Sequence, residues 1–105
     1  MLVYCRPMIL ELAEIDILPG KEPDFEAILE EASRLFLQSP GCLGIRIGRS
    51  IEHPHRFRLL VRWATLDDHM IGFRNSDAFI EWRRLAGPCF AKPPRVEHMN
   101  LLIGD

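Results

Sequence analysis

Three side chains between positions 63 and 83 could share one piece of chemistry. Trp63 offers a flat apolar face to a planar organic ring. His69 titrates near neutrality and suits a general base or proton shuttle. Arg83 could pair with an oxygen as negative charge develops on it. Phe73 and Trp82 lie in the same stretch and suit either core or pocket wall, and His98 falls on a strand that could line the same space. Each has a plainer role as well. His69 could cap or pack at a helix start, Trp63 could be core, and Arg83 could pair with Glu81 or Asp77. One residue of helix rotation would exchange Arg83 with Arg84. His53 and His55 flank Pro54 in a turn, too far along the chain from His69 to predict a shared metal.

The positioning elements follow from periodicity. Residues 9 to 18 alternate in part, with Ile9, Glu11, Ala13, Ile15 and Ile17 on one face and Leu10, Leu12, Glu14 and Asp16 on the other. That predicts a strand ending at the Pro19-Gly20 turn. Phe25, Ile28, Leu29, Ala32, Leu35 and Phe36 make one apolar stripe, which predicts a helix over 23–38, stopped by Ser39-Pro40-Gly41. Leu43 to Ile51 and Arg56 to Ala64 alternate as two further strands joined by a hairpin at 52–55. Phe57, Leu59, Val61 and Trp63 form the apolar face of the second. Thr65 to Asp68 reads as an N-cap with acidic first-turn residues, opening a short helix to about Phe73. Ser76 caps a further helix to about Leu85, and 96–103 is the last strand.

The order β-α-β-β-α-β predicts a ferredoxin-like α+β fold, a four-stranded antiparallel sheet with both helices on one face. The other face would carry Leu10, Leu12 and Leu60 beside Glu14, Arg58 and Arg62. A second copy is the natural cover for those leucines, so a two-fold homodimer, a dimeric α+β barrel, is expected. Glu14 and Arg62 would form an ion pair on that face.

Composition bounds the rest. One domain over 9–105, preceded by a loose leader at 1–8, suits 105 residues. A net charge of −2 gives no reason to expect nucleic acid or an anionic membrane as partner. Three cysteines, Cys5, Cys42 and Cys89, with no C-x-x-C predict reduced thiols in a cytoplasmic protein, not a disulfide framework or zinc site. No apolar run approaches a membrane span. No G-x-G-x-x-G follows a strand and no P-loop is present, so no nucleotide cofactor is expected.

Several segments in order resemble the antibiotic-biosynthesis monooxygenase family: P-G-K-E-P-D-F-E-A at 19–27, S-P-G-C-L-G-I-R-I at 39–47, R-W-A-T-L-D-D-H at 62–69, F-R-N-S-D-A-F-I-E-W-R at 73–83 and P-P-R-V-E-H at 93–98. The resemblance spans about residues 9–103 and implies a dimeric α+β barrel. The family's cofactor-free polyketide monooxygenases carry a strand-end Trp, a pocket polar residue six positions on and an Arg on the later helix. Trp63, His69 and Arg83 hold those places. His69 stands where the best-known type has a Tyr, and Leu59 where it has an Asn, so Leu59 is a candidate substrate contact. The haem-degrading branch needs an Asn and a His where this chain has Ala13 and Arg83, which argues against haem. The implied activity is cofactor-independent oxidation of a small aromatic, phenolic or quinol-type substrate by O₂. The alternative is a non-catalytic small-molecule-binding or stress-response dimer on the same fold.

Overall fold

A computed structural model describes residues 8–103, so most of the expected leader lies outside the described residues. The strands are β1 (Ile9–Asp16), β2 (Cys42–Arg49), β3 (Arg56–Trp63) and β4 (Arg95–Asn100), and the helices are α1 (Glu22–Leu37) and α2 (Asp77–Ala86). All pairings are antiparallel, and the sheet runs β2-β3-β1-β4. The ferredoxin-like expectation holds, with boundaries shifted by one or two residues at most ends. The larger shortfall is at β4, where pairing stops at Asn100 because β1 begins at its partner Ile9.

Alternation decides which face each side chain takes. Ala13, Ile15, Phe57, Leu59, Val61 and Trp63 point from β1 and β3 into the core. Phe25, Ala32 and Phe36 of α1 close over them, with Trp82 and Ala86 of α2. The aromatic rings interlock. Phe25 meets Phe57 edge-on at 4.9 Å, and Phe36 stacks on Phe73 at 4.6 Å. The α1 start has Pro23 in its first turn with Glu22 and Asp24 beside the unpaired N–H groups, a favourable arrangement for the helix dipole. Gly41 takes a φ of +82° to turn the chain from α1 into β2.

Between β3 and α2 the expected short helix forms, but as a π turn over Asp68–Phe73. Thr65 and Asp68 cap it reciprocally, the Asp68 N–H donating to Thr65 Oγ1 at 3.0 Å and the Thr65 N–H to Asp68 Oδ2 at 3.2 Å. It closes with the Arg74 N–H on the His69 carbonyl at 3.1 Å, an i→i+5 bond. Ser76 then caps α2 as expected, accepting the Phe79 N–H at 3.3 Å.

The face away from the helices carries half-buried Leu10, Leu12 and Leu60 and exposed Met99. The expected Glu14–Arg62 pair does not form within the chain. Register sets Glu14 opposite Arg58 and Arg62 opposite Leu10. Glu14 therefore binds Arg58 at 3.0 Å, with Arg56 and Arg95 each at 3.6 Å, while Arg62 donates to the Leu43 carbonyl. No helix among the described residues is long and apolar enough to cross a membrane.

Candidate active site

Glu11 is one carboxylate on the otherwise apolar face of β1, flanked by Ile9 and Ala13 and only 3 % exposed. Register places it opposite Val61 on β3 and His98 on β4. Trp63, one residue pair further along β3, donates its indole N–H to Glu11 Oε1 at 2.9 Å. The π turn brings His69 down onto the same group. Its Nε2 lies 3.3 Å from Glu11 Oε1, its Nδ1 lies 2.7 Å from His98 Nε2, and its ring stacks on Trp63 at 5.2 Å. One protonation pattern suits this chain when Glu11 is ionised: Trp63 Nε1–H donates to Oε1, His69 Nε2–H faces the same oxygen at 3.3 Å, and His98 Nε2–H donates to His69 Nδ1. Among the described residues no hydrogen bond reaches Glu11 Oε2, and no sealed side-chain polar atom is left without a partner. The second oxygen is thus the one offered to the cavity that Glu11 lines.

Burial sets the charges. It raises the Glu11 carboxyl from 4.5 to about 7, against the smaller opposing pull of the Trp63 hydrogen bond and the Arg74 charge. It lowers His69 from 6.5 to about 4, with His98 and Arg74 adding to the effect. His98 is lowered by the same two causes, burial first and then Arg74. Near neutral pH the imidazole is uncharged and the carboxyl is the group poised to gain or lose a proton.

The cavity holds about 480 Å³ between the sheet and α2. Its inner wall includes Ala13, Ile15, Leu59, Phe36, Phe73 and Trp82, and Arg74, Arg83 and Lys92 lie on its exposed side. This volume suits an organic molecule of a few rings. The expected site residues are therefore sorted by position. His69, Arg83, Phe73, Trp82 and Leu59 all line the cavity. Trp63 is fully buried behind His69, so it positions that ring and the Glu11 carboxylate and offers no open face for stacking. His98 joins through His69. Arg83 is exposed, with its guanidinium 5.8 Å over the Phe79 ring, and it is Arg84 that pairs with Glu81. Glu11 and Arg74, which also line the cavity, were not among the expected site residues. The signal for Glu11 was in the strand pattern, as a carboxylate on the apolar parity of β1. Among the described residues no group of three or more His, Cys, Asp or Glu side chains is placed to hold a metal ion. His53 and His55 face each other at 6.1 Å on the exposed hairpin.

The comparisons with known proteins agree with this architecture. The family model described as antibiotic biosynthesis monooxygenase matches residues 8–85. The uncharacterized protein YczJ of Bacillus subtilis is 34 % identical over 93 residues, covering 89 % of this chain and 98 % of YczJ. A crystal structure from Bordetella bronchiseptica, whose name places it provisionally among the antibiotic biosynthesis monooxygenases, superposes with a TM-score of 0.89 at 48 % identity. It covers 92 % of this chain and 99 % of its own. A similarly named Nitrosomonas europaea protein, 19 % identical over 96 % of each chain, shares the fold with a TM-score of 0.83. The chain belongs to the antibiotic biosynthesis monooxygenase family.

Proposed function

We propose that this protein is a cofactor-independent monooxygenase acting on a small aromatic, phenolic or quinol-type compound, with Glu11 as the proton acceptor. One observation carries the reading. A buried carboxyl held near neutrality turns its unpaired oxygen toward an apolar cavity of about 480 Å³. An electron-rich CH₂ group beside an aromatic ketone illustrates the chemistry. Glu11 Oε2 removes one C–H proton, leaving an enolate that reduces O₂ by one electron. The radical pair joins in a C–O bond, giving a peroxide. Glu11 returns its proton to the outer peroxide oxygen, and its freed Oε2 then removes the second C–H proton as the O–O bond breaks and the C=O forms. The departing hydroxide takes that second proton from Glu11 as water. The sum is one CH₂ and one O₂ converted to one C=O and one water. Trp63 and His69 hold the Glu11 carboxylate through Oε1 throughout, so the proton-accepting oxygen keeps its aim. The apolar walls exclude water from the peroxide.

The same reading includes a homodimer formed through the open sheet face, where Leu10, Leu12 and Leu60 are half-buried with no helix of the described residues over them. Oxygen uptake by purified protein across phenols, hydroquinones and anthrone-like ketones tests the activity. Wild type is expected to exceed the spontaneous rate with at least one class, and Glu11→Gln to lose about a hundredfold or more. Uptake unchanged in Glu11→Gln removes Glu11 from the mechanism. No uptake with any class favours the non-catalytic binding dimer.

A further inference from the structure

The Glu11–His69 pair can take a proton but has no means to hold the anion this creates, and the cation whose charge acts on both groups is not the one the sequence singled out. Arg74 follows His69 by five residues. In an α-helix that spacing turns a side chain about 140° away from its starting direction. The π turn closes at i→i+5, through the Arg74 N–H on the His69 carbonyl, and so brings Arg74 back over His69. Arg74 lines the cavity together with Glu11 and His69, and its charge bears on Glu11, His69 and His98 alike. Among the described residues Arg74 has no carboxylate within ion-pair distance, whereas Arg34, Arg49, Arg56, Arg58, Arg84 and Arg95 each have one.

We propose that the π turn builds an anion subsite at the reacting end of the cavity, with Arg74 pairing to a phenolate or enolate oxygen of the ligand while its ring lies against Leu59, Phe73 and Trp82. The inference rests on the reading of the cavity as a substrate site, but not on turnover with O₂. The ligand class is an aromatic molecule with an ionisable oxygen on the ring that enters first. Arg83, over Phe79, and Lys92, 3.4 Å from Asp16 Oδ2, are the other cations on the cavity wall, and Glu11 is its acidic group.

Binding of 2,4-dinitrophenol and its uncharged counterpart 1,3-dinitrobenzene, measured at pH 6 by calorimetry or tryptophan quenching, separates charge from apolar fit. At that pH the phenol is ionised while Glu11, at about 7, is mostly protonated. Wild type is expected to prefer the phenolate. Arg74→Gln should weaken the phenolate tenfold or more and leave dinitrobenzene unchanged, with Arg74→Lys recovering part of the loss. Equal weakening of both ligands would make Arg74 a wall residue and overturn the proposal. A loss seen in Arg83→Gln but not in Arg74→Gln would overturn it as well, as would failure of either ligand to bind. Phenolate binding through Arg74, together with no oxygen uptake for any class of the phenol, hydroquinone and ketone panel, would sustain the subsite and sink the monooxygenase reading.

Discussion

At the scale of single residues, the fold shifts one proton between two side chains. Between about pH 4.5 and 6.5 an unfolded chain carries an ionised glutamate and a charged histidine. In the folded protein the carboxyl at position 11 keeps its proton up to about pH 7 and His69 stays neutral down to about 4. The two have opposite linkage. The folded state holds the extra proton at Glu11, so that contribution is complete below 4.5 and lost as pH rises through 7. The unfolded state holds the extra proton at His69, so that contribution is complete above 6.5 and lost as pH falls through 4. In wild type the two slopes offset one another where they overlap. Urea titrations across pH should therefore separate them. Glu11→Gln should leave stability that falls on acidification, and should itself be more stable than wild type above pH 7 by about 3 kcal/mol at most. His69→Gln should leave stability that falls as pH rises toward 7. A flat profile in both variants would mean that neither group is perturbed. Glu11 was visible in the sequence as a charge on an apolar face, but its partners are not local. They come from β3, β4 and the π turn, and only strand register brings them together.

At the scale of elements, alternation, the 3.6-residue stripe and the cap residues were enough to find the four strands and two α-helices of the described residues, but not the 3-10 turn at Gly87–Cys89, which was expected as loop. What they could not supply was the winding of residues 68–73, because a helix drawn at 3.6 residues per turn puts Arg74 on the wrong side. They also could not supply register, which is why Glu14 was matched to Arg62 and not Arg58. The π turn is held from below by the loop before β2. A methyl group on Gly41 would fall on the Asp68 side chain, which caps the turn, and Gly41 already sits at a φ of +82°. Gly41→Ala should thus cost about 2 kcal/mol or more, read from the urea midpoint. It should also weaken binding of the dinitrophenol probe. Gly20 has a similar φ of +88° but open space around its Cβ position. Gly20→Ala should therefore lower stability without touching ligand binding.

At the scale of the whole molecule, both helices lie on one side of the sheet, leaving the other without cover from the described residues. Glu14 there is already matched within the chain by Arg56, Arg58 and Arg95, so the leucines are the apolar surface that a second copy would cover. Leu60 sits at the middle of that face, opposite Leu12 on β1 and Arg46 on β2. Leu60→Arg should halve the mass seen by light scattering or sedimentation while far-ultraviolet circular dichroism stays native. A wild-type protein that sediments as a monomer at micromolar concentration would rule out the dimer proposal.

The strand β1 serves both sides at once. Ile9, Glu11, Ala13 and Ile15 belong to the cavity side, and Leu10, Leu12, Glu14 and Asp16 to the opposite side. Odd and even positions are therefore separate inheritances written in one ribbon. Substitution at an odd position can retune the chemistry without disturbing the outer face, and the reverse holds for even positions. A change of length cannot be so contained. One inserted residue in β1 would trade the two sets beyond it, sending a leucine to the place of the carboxylate and the carboxylate out of the cavity. In descent, this strand should vary in letters at positions other than Glu11 and hardly at all in length.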